Sequence, residues 1–282
     1  MRTPKKALPV AVAALTAGVL ALGVGSASAS ASSAQTTQSD ASPKPTIVLV
    51  HGAWADGSSW SAVTAKLQSA GYTVDVEANP LRGLATDALY LRDLLATIPG
   101  PVVLVGHSYG GMVTTSAATG NPNVKALVYV DAFIPDQGDS LGALAAAQPG
   151  SELDPSSSIT TVPIHDAGGN VVNADVYIKP DQFAGLFACG IPARQAAGLA
   201  ATQRPLTAST LTETLDGVPA WKTIPSWDVI GTADKVLPPA EQQIMANRAG
   251  AHITKVDAPH LSMISDPDVV TGVIVDAARA TR

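Results

Sequence analysis

Residues 102–111 read Val-Val-Leu-Val-Gly-His-Ser-Tyr-Gly-Gly, a continuous apolar run that passes into a Gly-x-Ser-x-Gly pattern. The four apolar residues predict a strand that is buried on both faces, and the small residues after the serine predict the start of a helix. The glycines on either side of the serine allow the strand and the helix to pass close together. A sharp turn between them would hold Ser108 in strained backbone geometry, with its hydroxyl clear of the sheet.

Apolar runs and helical patterns alternate along much of the chain. Sheet strands are predicted at residues 46–50, 73–76, 102–105, 124–130, 227–230 and 252–256. Helices are predicted at residues 59–70, at residues 84–98, and from Ser265-Asp266-Pro267 to about residue 280. This alternation predicts an α/β fold with a mostly parallel sheet and helices on both faces. In such sheets the ligand binds beyond the carboxyl ends of the strands.

One long stretch, residues 136–221, interrupts this alternation. Within it, residues 160–164 and 171–177 flank Ala167-Gly168-Gly169-Asn170, which predicts a β-hairpin. Residues 180–215 have a helical pattern that is interrupted once by a glycine and a proline. We interpret the stretch as a cap that is inserted over the carboxyl ends of the sheet strands.

The beginning of the chain has three basic side chains, then an apolar stretch over residues 7–24, and then small residues ending in Ala-Ser-Ala. This order predicts a secretory signal peptide over residues 1–29, because the apolar stretch is short for a helix that spans a membrane. We therefore expect a secreted, extracellular protein that has no membrane anchor after cleavage. Residues 30–45 predict a disordered segment, and residues 46–282 are long enough for one domain with a full core.

The charge balance argues against a polyanionic partner. The chain has 17 Lys and Arg residues against 23 Asp and Glu residues, and its formal net charge is −6. Nucleic acid and anionic membranes are therefore poor partners. The single cysteine, Cys189, cannot form an internal disulfide, the five histidines lack the spacing of a metal site, and no phosphate-binding glycine loop is present. We expect neither a metal nor a cofactor, and the patterns leave the oligomeric state open.

A serine hydroxyl is a weak nucleophile at neutral pH, so Ser108 needs a histidine that accepts its proton and an acid that orients the histidine. A serine on this kind of turn is followed along the chain first by the acid and then by the histidine. His260 follows the last predicted strand, and no other histidine fits both this order and a loop position. Asp234, in the turn after the fifth predicted strand, is the favoured acid, and Asp131, at the end of the fourth, is the alternative.

Two backbone N–H groups are needed to hold the negative oxygen that forms when a serine attacks a carbonyl. One is that of Tyr109, the residue after the serine. The other comes from the loop after the first strand, where Ala53 is the favoured donor and Trp54 the alternative. His51 in that loop and His107 in the serine turn have ordinary explanations, as a buttress of the loop and as a packing residue.

Large aromatic side chains fall in the first loop and in the cap region, which predicts an apolar substrate pocket. The candidates to line this pocket are Trp54, Phe133, Phe183, Phe187 and Trp221. For each of them the alternative is ordinary core packing. The cap region has no cluster of Arg or Lys residues, which disfavours a strongly anionic substrate.

The chain resembles the α/β-hydrolase family over essentially all of residues 46–282, through motifs at residues 49–54, 106–111, 132–136, 231–234 and 260–263. More narrowly, it is similar to the branch that contains plant methylesterases, hydroxynitrile lyases and many bacterial esterases. Hydroxynitrile lyases of this branch have a lysine after the catalytic histidine and a threonine in the first loop. This chain has Leu261 and Gly52 at these positions, so the resemblance favours an esterase over a lyase.

The resemblance implies a serine hydrolase that cleaves small carboxylic esters through Ser108, His260 and Asp234 and an acyl-enzyme, without a metal or a cofactor. A lactonase that uses the same triad remains open, because ring opening needs the same machinery. A non-catalytic ligand-binding relative is the remaining alternative, which the presence of every predicted triad and oxyanion residue disfavours.

Overall fold

The computed structural model describes residues 43–281 of the chain. The predicted signal peptide over residues 1–29 lies outside this range, and so does the predicted disordered segment apart from residues 43–45. No helix between residues 43 and 281 has both the length and the apolar character needed to cross a membrane.

The described residues form nine strands in two sheets. In chain order the strands are β1 (Thr46–Val50), β2 (Val74–Glu77), β3 (Val102–His107), β4 (Val124–Val130), β5 (Ile159–His165), β6 (Val171–Ile178), β7 (Leu206–Thr207), β8 (Ser226–Gly231) and β9 (His252–Val256). The larger sheet has the order β2-β1-β3-β4-β8-β9, and all of its strands run parallel. The expected mostly parallel sheet is therefore confirmed, with strand ends within two residues of the predicted ones.

The same residues form ten α-helices. They are α1 (Ser61–Ser69), α2 (Leu84–Thr97), α3 (Gly110–Ala117), α4 (Leu141–Ala145), α5 (Pro155–Ser158), α6 (Pro180–Leu186), α7 (Ala193–Thr202), α8 (Pro239–Ala249), α9 (Ser262–Ser265) and α10 (Pro267–Ala280). Short 3-10 turns occupy Gly57–Trp60, Ala208–Leu211 and Ala220–Lys222. The helix predicted over residues 59–70 is thus a 3-10 turn followed by α1, and the proline at the first position of α10 matches the prediction.

Helices cover both faces of the parallel sheet, as the continuous apolar strands predict. On β1, Val48 and Val50 pack with apolar residues of α2, α3 and α8. The alternate residues Ile47 and Leu49 pack with apolar residues of α1 and α10 on the opposite face. Successive side chains of a strand point to opposite faces, so each buried strand contributes to both halves of the core.

The chain between β4 and β8 contains α4 to α7 and the smaller sheet. That sheet is antiparallel and has the order β5-β6-β7. The predicted hairpin is confirmed as β5 and β6, which are closed by a turn in which the Asp166 N–H donates to the Asn170 carbonyl at 2.9 Å. This region therefore has its own secondary structure, inserted between two neighbouring strands of the main sheet.

The helical pattern predicted over residues 180–215 is wrong at its C-terminal end. Helix α7 ends at Thr202, and the chain then forms β7 and a 3-10 turn. The Gln203 side chain takes the place of a strand neighbour, since it accepts from the Ile178 N–H at 3.0 Å and donates to the Ile178 carbonyl at 2.8 Å. The proline at position 205 further favours extended backbone just before it, so the chain leaves the helix and joins β6.

Candidate active site

Ser108 lies on the turn between the end of β3 and the start of α3. Its φ angle is +51°, in the left-handed region that non-glycine residues rarely adopt. The turn is held from β4, because the Ser108 N–H donates to the Val130 carbonyl at 3.3 Å and the Phe133 N–H donates to the Ser108 carbonyl at 3.2 Å. Neighbouring structure thus over-determines a strained conformation, as is common at functional sites.

Glycines allow the close packing that this turn requires. A Cβ atom on Gly106 would lie 2.6 Å from the Gly110 carbonyl oxygen, and one on Gly110 would lie 2.7 Å from the Val50 carbonyl oxygen. Both obstacles are backbone atoms that cannot rotate away. The Gly-x-Ser-x-Gly pattern therefore has a steric cause in this turn, independent of any chemistry of the serine.

The structure brings Ser108, His260 and Asp234 into one hydrogen-bonded chain. The Ser108 Oγ lies 3.0 Å from His260 Nε2, and His260 Nδ1 lies 2.7 Å from Asp234 Oδ2. A proton on Nδ1 that is donated to the carboxylate leaves Nε2 free to accept from the serine hydroxyl. All three residues are buried, so bulk water competes little for these bonds.

Asp234 is fixed by donors other than the histidine. Its Oδ1 accepts from the Val236 and Leu237 N–H groups at 2.8 and 2.9 Å. Its Oδ2 also accepts from Gln242 Nε2 at 2.8 Å. Gln242 belongs to α8 and is fully buried, and sequence reasoning gave no indication of its contact with Asp234.

Asp131, the alternative acid, does not hydrogen-bond His260. Its Oδ1 accepts from the Gly231 N–H at 2.8 Å and its Oδ2 from the Ser262 N–H at 3.0 Å. Burial, together with the nearby Asp234 carboxyl, raises the pKa of Asp131 well above its ordinary value. Asp131 therefore connects the two loops that carry Asp234 and His260, a role that its place at the end of β4 did not suggest.

His107 contacts His260 through both its ring and a hydrogen bond. The two ring centroids are 4.9 Å apart, and His107 Nε2 lies 2.9 Å from the His260 carbonyl oxygen, to which it donates. Complete burial, followed by the nearby His260, lowers the pKa of His107 well below its ordinary value. Packing alone, the explanation that the sequence supports, misses this hydrogen bond.

The loop after β1 lies directly against the serine turn. A Cβ atom on Gly52 would lie 2.7 Å from the Ser108 Cβ. His51 Nδ1 donates to the Gly52 carbonyl at 2.9 Å, which agrees with its expected part as a buttress. Burial lowers the pKa of His51 to about 4, so its imidazole is neutral at neutral pH.

Two N–H groups, one in the serine turn and one in the loop after β1, are those predicted to hold the oxyanion, and neither has a partner in the described part of the chain. They belong to Ala53 and Tyr109, the two residues that the sequence favours as oxyanion donors. The alternative donor, Trp54, has its N–H engaged, because it donates to the Arg204 carbonyl at 3.0 Å. Among the described residues, Ala53 is thus the one of the two loop candidates that keeps a free N–H.

Aromatic rings surround one side of His260. The Phe187 ring lies 5.2 Å from the His260 ring, 5.9 Å from Trp54 and 5.1 Å from Phe183 by centroid. Of the five predicted pocket residues, Phe187 is thus the one whose ring contacts His260 among the described residues, and Trp54 and Phe183 pack against Phe187.

The other two predicted pocket residues lie in different surroundings. Phe133 is buried in the core beside α3 and is tied to the serine turn through its backbone N–H. Trp221 donates from Nε1 to the Pro135 carbonyl at 2.8 Å, and no ring contact among the described residues joins it to the triad. For Trp221, core packing accounts for the observed contacts.

Between residues 43 and 281, no group of three or more His, Cys, Asp and Glu side chains is arranged to hold a metal ion. The side chains joined at this site are a buried serine, an imidazole and a carboxylate.

The sequence profile of the alpha/beta hydrolase family matches residues 47–273, and the parallel sheet and the serine turn are the features that this match predicts. The chain belongs to the alpha/beta hydrolase family. The matched range includes the serine turn, both candidate acids and His260.

Among curated proteins, a carbendazim hydrolyzing esterase from a Nocardioides species is 42% identical over 110 residues, which is 34% of this chain and 46% of that protein. Methylesterase 7 of Arabidopsis thaliana is 33% identical over 112 residues, 34% of this chain and 43% of that protein. The chain thus matches less than half the length of these curated relatives.

Solved structures match over a longer range. A crystal structure of polyneuridine aldehyde esterase covers 83% of this chain and 99% of its own, with a TM-score of 0.71 and 21% identity. A pyrethroid hydrolase from Sphingobium faniae covers 84% of this chain and 98% of its own, with a TM-score of 0.64 and 21% identity. At these identities the likeness shows the fold.

Proposed function

We propose that this protein is a serine hydrolase that cleaves carboxylic esters, with Ser108, His260 and Asp234 as its catalytic residues. The observation that carries the proposal is the hydrogen-bonded chain from Ser108 Oγ through the His260 ring to Asp234, at 3.0 and 2.7 Å. A general base within hydrogen-bond reach of the nucleophile, itself oriented by a third group, is the arrangement that activates a serine.

The chemistry follows from these positions. Ser108 Oγ bonds to the ester carbonyl carbon while His260 Nε2 accepts the hydroxyl proton, and Asp234 stabilises the resulting imidazolium. The tetrahedral intermediate collapses, the alcohol leaves with the proton from His260, and the acyl group remains on the serine. Water then attacks the acyl-serine with His260 as the base, and release of the carboxylic acid restores the hydroxyl.

The N–H groups of Ala53 and Tyr109 form the proposed oxyanion hole. Both lack a partner among the described residues. Tyr109 follows Ser108 directly, and Ala53 follows Gly52, where an added Cβ atom would lie 2.7 Å from the Ser108 Cβ. Donors that are already in place when charge develops on the oxygen need no reorganisation during the reaction. The loss of one such donor lowers kcat by roughly 10²–10³-fold in other serine hydrolases.

Several observations bear on the substrate. The curated relatives are named as esterases that act on carbendazim or as methylesterases, which supports small esters, including methyl esters. The Phe187 ring beside His260, and the Trp54 ring packed against Phe187, support an apolar acyl or alcohol group. A lactone requires the same attack and the same proton transfers, so lactones belong in the first substrate panel.

The test is a panel of p-nitrophenyl esters of increasing acyl length, with carbendazim, an aromatic methyl ester, a γ-lactone and an aryl amide. Turnover of short esters is expected in the wild type, and Ser108→Ala is expected to lose it by several orders of magnitude while remaining folded. Ser69→Ala, an exposed serine at the end of α1, is the matched control and should retain full turnover.

Each outcome of the panel has a defined meaning. Equal turnover in Ser108→Ala and the wild type would overturn the proposal. Turnover of the lactone alone would assign the same triad to a lactonase. Binding of these compounds by folded wild-type protein, without turnover of any of them, would favour a ligand-binding relative.

We further propose that residues 1–29 direct export and are removed, so that the working enzyme is extracellular. The support is the order of basic, apolar and small residues ending in Ala-Ser-Ala. Expression of the full chain in a bacterial host should yield a secreted product whose N-terminus is Ser30. An uncleaved chain that remains with the cell membrane would contradict this proposal.

A further inference from the structure

We propose that His107 and Asp131 are positioning residues that hold the His260 loop, residues 257–262, against the serine turn. His107 holds the backbone carbonyl of His260, and Asp131 holds the backbone N–H of Ser262. The proposal rests on the serine hydrolase function proposed for Ser108. It assigns the alignment of the base to two side chains that hydrogen-bond to the backbone of the loop carrying His260.

His107, the last residue of the strand before Ser108, limits the movement of His260 through a hydrogen bond to its backbone. His107 Nε2 lies 2.9 Å from the His260 carbonyl oxygen and the side chain is fully buried. The acceptor is a carbonyl, so Nε2 must carry the proton, and Nδ1 is then the bare nitrogen. Nδ1 has no partner among the described residues. A neutral imidazole in this tautomer has one proton to donate, and the His260 backbone receives it.

Asp131, directly after the neighbouring strand, limits the movement of the same loop through a hydrogen bond from the Ser262 N–H. Its carboxyl bridges the Gly231 N–H at 2.8 Å and the Ser262 N–H at 3.0 Å. Gly231 precedes Asp234 by three residues, and Ser262 follows His260 by two, so one side chain connects the loops of the acid and the base. A Cβ atom on Gly231 would lie 2.7 Å from Asp131 Oδ1, which explains the glycine.

Both contacts arise from adjacent positions in the sheet. His107 pairs with Val130 at the ends of β3 and β4. Asp131 is the residue after Val130, so His107 and Asp131 lie at the same end of two neighbouring strands. Asp131 has a φ angle of +47°, a strained conformation that directs the chain sharply after the strand. The nucleophile and the bridging carboxyl therefore both belong to residues with left-handed backbone, directly after two neighbouring strands.

The consequence for catalysis is geometric. A displacement of about 1 Å between a base and its nucleophile lowers a rate by roughly 10²-fold. His260 lies on a loop, where precise side-chain positions need support from surrounding groups. Hydrogen bonds to the His260 carbonyl and from the Ser262 N–H supply that support, while Asp234 orients the ring itself.

The test compares His107→Phe, His107→Gln and Asp131→Asn with the wild type on p-nitrophenyl acetate. Phenylalanine keeps a flat ring but removes the donor, whereas glutamine retains an N–H that can reach the His260 carbonyl. Asparagine tolerates the left-handed backbone of residue 131 but has one acceptor oxygen in place of two, so it cannot accept with separate oxygens from both the Gly231 and the Ser262 N–H groups. Reaction of Ser108 with a p-nitrophenyl phosphonate reports its activation by His260 separately from later steps.

We expect His107→Phe to lower kcat and the phosphonate reaction rate by roughly 10–100-fold with KM little changed. His107→Gln should recover most of this loss, and Asp131→Asn should fall between the two. Tyr129→Phe is the matched control, since it removes a buried hydroxyl that bonds Thr115 at 2.8 Å without touching the His260 loop. Its thermal stability should fall while its kcat stays near the wild-type value.

The outcomes separate this proposal from the proposed function. A wild type that neither turns over esters nor reacts with the phosphonate would reject the serine hydrolase. An active wild type with equally active His107→Phe and Asp131→Asn would reject the positioning roles alone. If His107→Phe does not fold, a loss in folded Asp131→Asn, with the control unaffected, still supports the proposal, and no loss in that variant rejects it.

Discussion

The hydroxyl of Ser108 and the imidazole of His260 are 152 positions apart in the chain and 3.0 Å apart in space. Asp234 completes the arrangement from a third turn, with both of its carboxylate oxygens hydrogen-bonded. A side chain held by so many partners does not have to be ordered when the substrate binds. Pre-organisation of this kind lowers the barrier of the chemical step.

Replacement of Asp234 by asparagine tests its role as the acid. The asparagine would present an amide that cannot fix the required tautomer of His260, and in a serine protease the equivalent change lowers kcat by about 10⁴-fold. We expect a loss of similar size here, measured as kcat on p-nitrophenyl acetate. Asp131 cannot compensate because both of its oxygens are engaged elsewhere. A variant with a tenth or more of the wild-type kcat would contradict this role.

Glu77, at the end of β2, is an isolated buried acid. It is 2% exposed and neither of its carboxyl oxygens has a partner among the described residues. Burial first, and then the nearby Asp87, raise its pKa from 4.5 to about 8, against the opposing effect of Arg204. The folded protein therefore holds this proton over a pH range in which the unfolded chain has released it.

The sign of the resulting pH dependence follows from proton binding. Between about pH 4.5 and pH 8 the folded state binds more protons at Glu77, so the free energy of unfolding falls as pH rises through this window. Glu77→Gln removes this contribution and should stabilise the protein by a few kcal/mol at alkaline pH, with little effect at acidic pH. The pKa values of the buried acids Asp131 and Asp228 are also raised. Glu77→Gln should therefore remove only part of the dependence of the unfolding free energy on pH.

Urea unfolding of both proteins at about pH 5 and about pH 9 measures this difference. Glu152→Gln is the matched control, since Glu152 is half-exposed and pairs with Lys235 at the surface. It should change stability by less than about 1 kcal/mol at either pH. A Glu77→Gln variant that is less stable than the wild type at alkaline pH would show that the ionised carboxylate is stabilised in the fold.

At the scale of elements, β3, the serine turn and α3 act as one unit. The strand is buried on both faces, and the helix starts two residues after the serine. Backbone of α3 passes so close to β3 and β1 that side chains cannot fit at Gly106 and Gly110. The strand–turn–helix can therefore form with Ser108 in the turn only if positions 106 and 110 are glycine.

Gly106→Ala should destabilise the protein by roughly 1–3 kcal/mol or more, because the new methyl group meets the Gly110 backbone. Gly198→Ala is the matched change, since Gly198 lies inside α7 and a Cβ atom there meets open space. It should stabilise the protein by about 0.5–1 kcal/mol. Chemical unfolding midpoints compare the two variants, and equal effects would refute the steric explanation of the glycines in the serine turn.

At the scale of the whole molecule, the insertion between β4 and β8 packs against His260. Ser108 is 4% exposed and His260 is fully buried. Phe187, which follows α6 in the insertion, places its ring between His260 and Trp54. We therefore expect the Phe187 ring to limit the space that a substrate can occupy beside His260.

Phe187→Leu should widen that space and shift the preference of the enzyme toward longer acyl chains. We expect the ratio of kcat/KM for p-nitrophenyl octanoate to that for the acetate to rise several-fold. Phe183→Leu is the matched control, because Phe183 contacts the Phe187 ring but has no ring contact with His260 among the described residues. An identical shift in both variants would mean that general loosening, and not the ring beside His260, sets the preference.

Local patterns were sufficient to predict the parallel sheet, the strand–turn–helix around Ser108 and the hairpin at β5 and β6. Continuous apolar runs, helical spacing and glycine positions reflect short-range sterics and burial, and these depend on residues that are close together in the sequence. The same reasoning failed at residues 203–215, where the Gln203 side chain pairs with Ile178 from another part of the chain. Helical propensity there is overridden by a contact that no local window contains.

Which residues contact His260 could not be predicted from the sequence, because these contacts depend on long-range packing. Order along the chain left both Asp131 and Asp234 as acids, and the direction of each side chain from its strand end places Asp234 against the imidazole. The engaged N–H of Trp54 and the contacts of Gln242 and His107 likewise come from separate elements that meet at one sheet edge. The sequence therefore determines which residue types are available at the carboxyl ends of the strands. Tertiary packing decides which of their atoms meet, because hydrogen bonds depend on orientations that spacing does not specify.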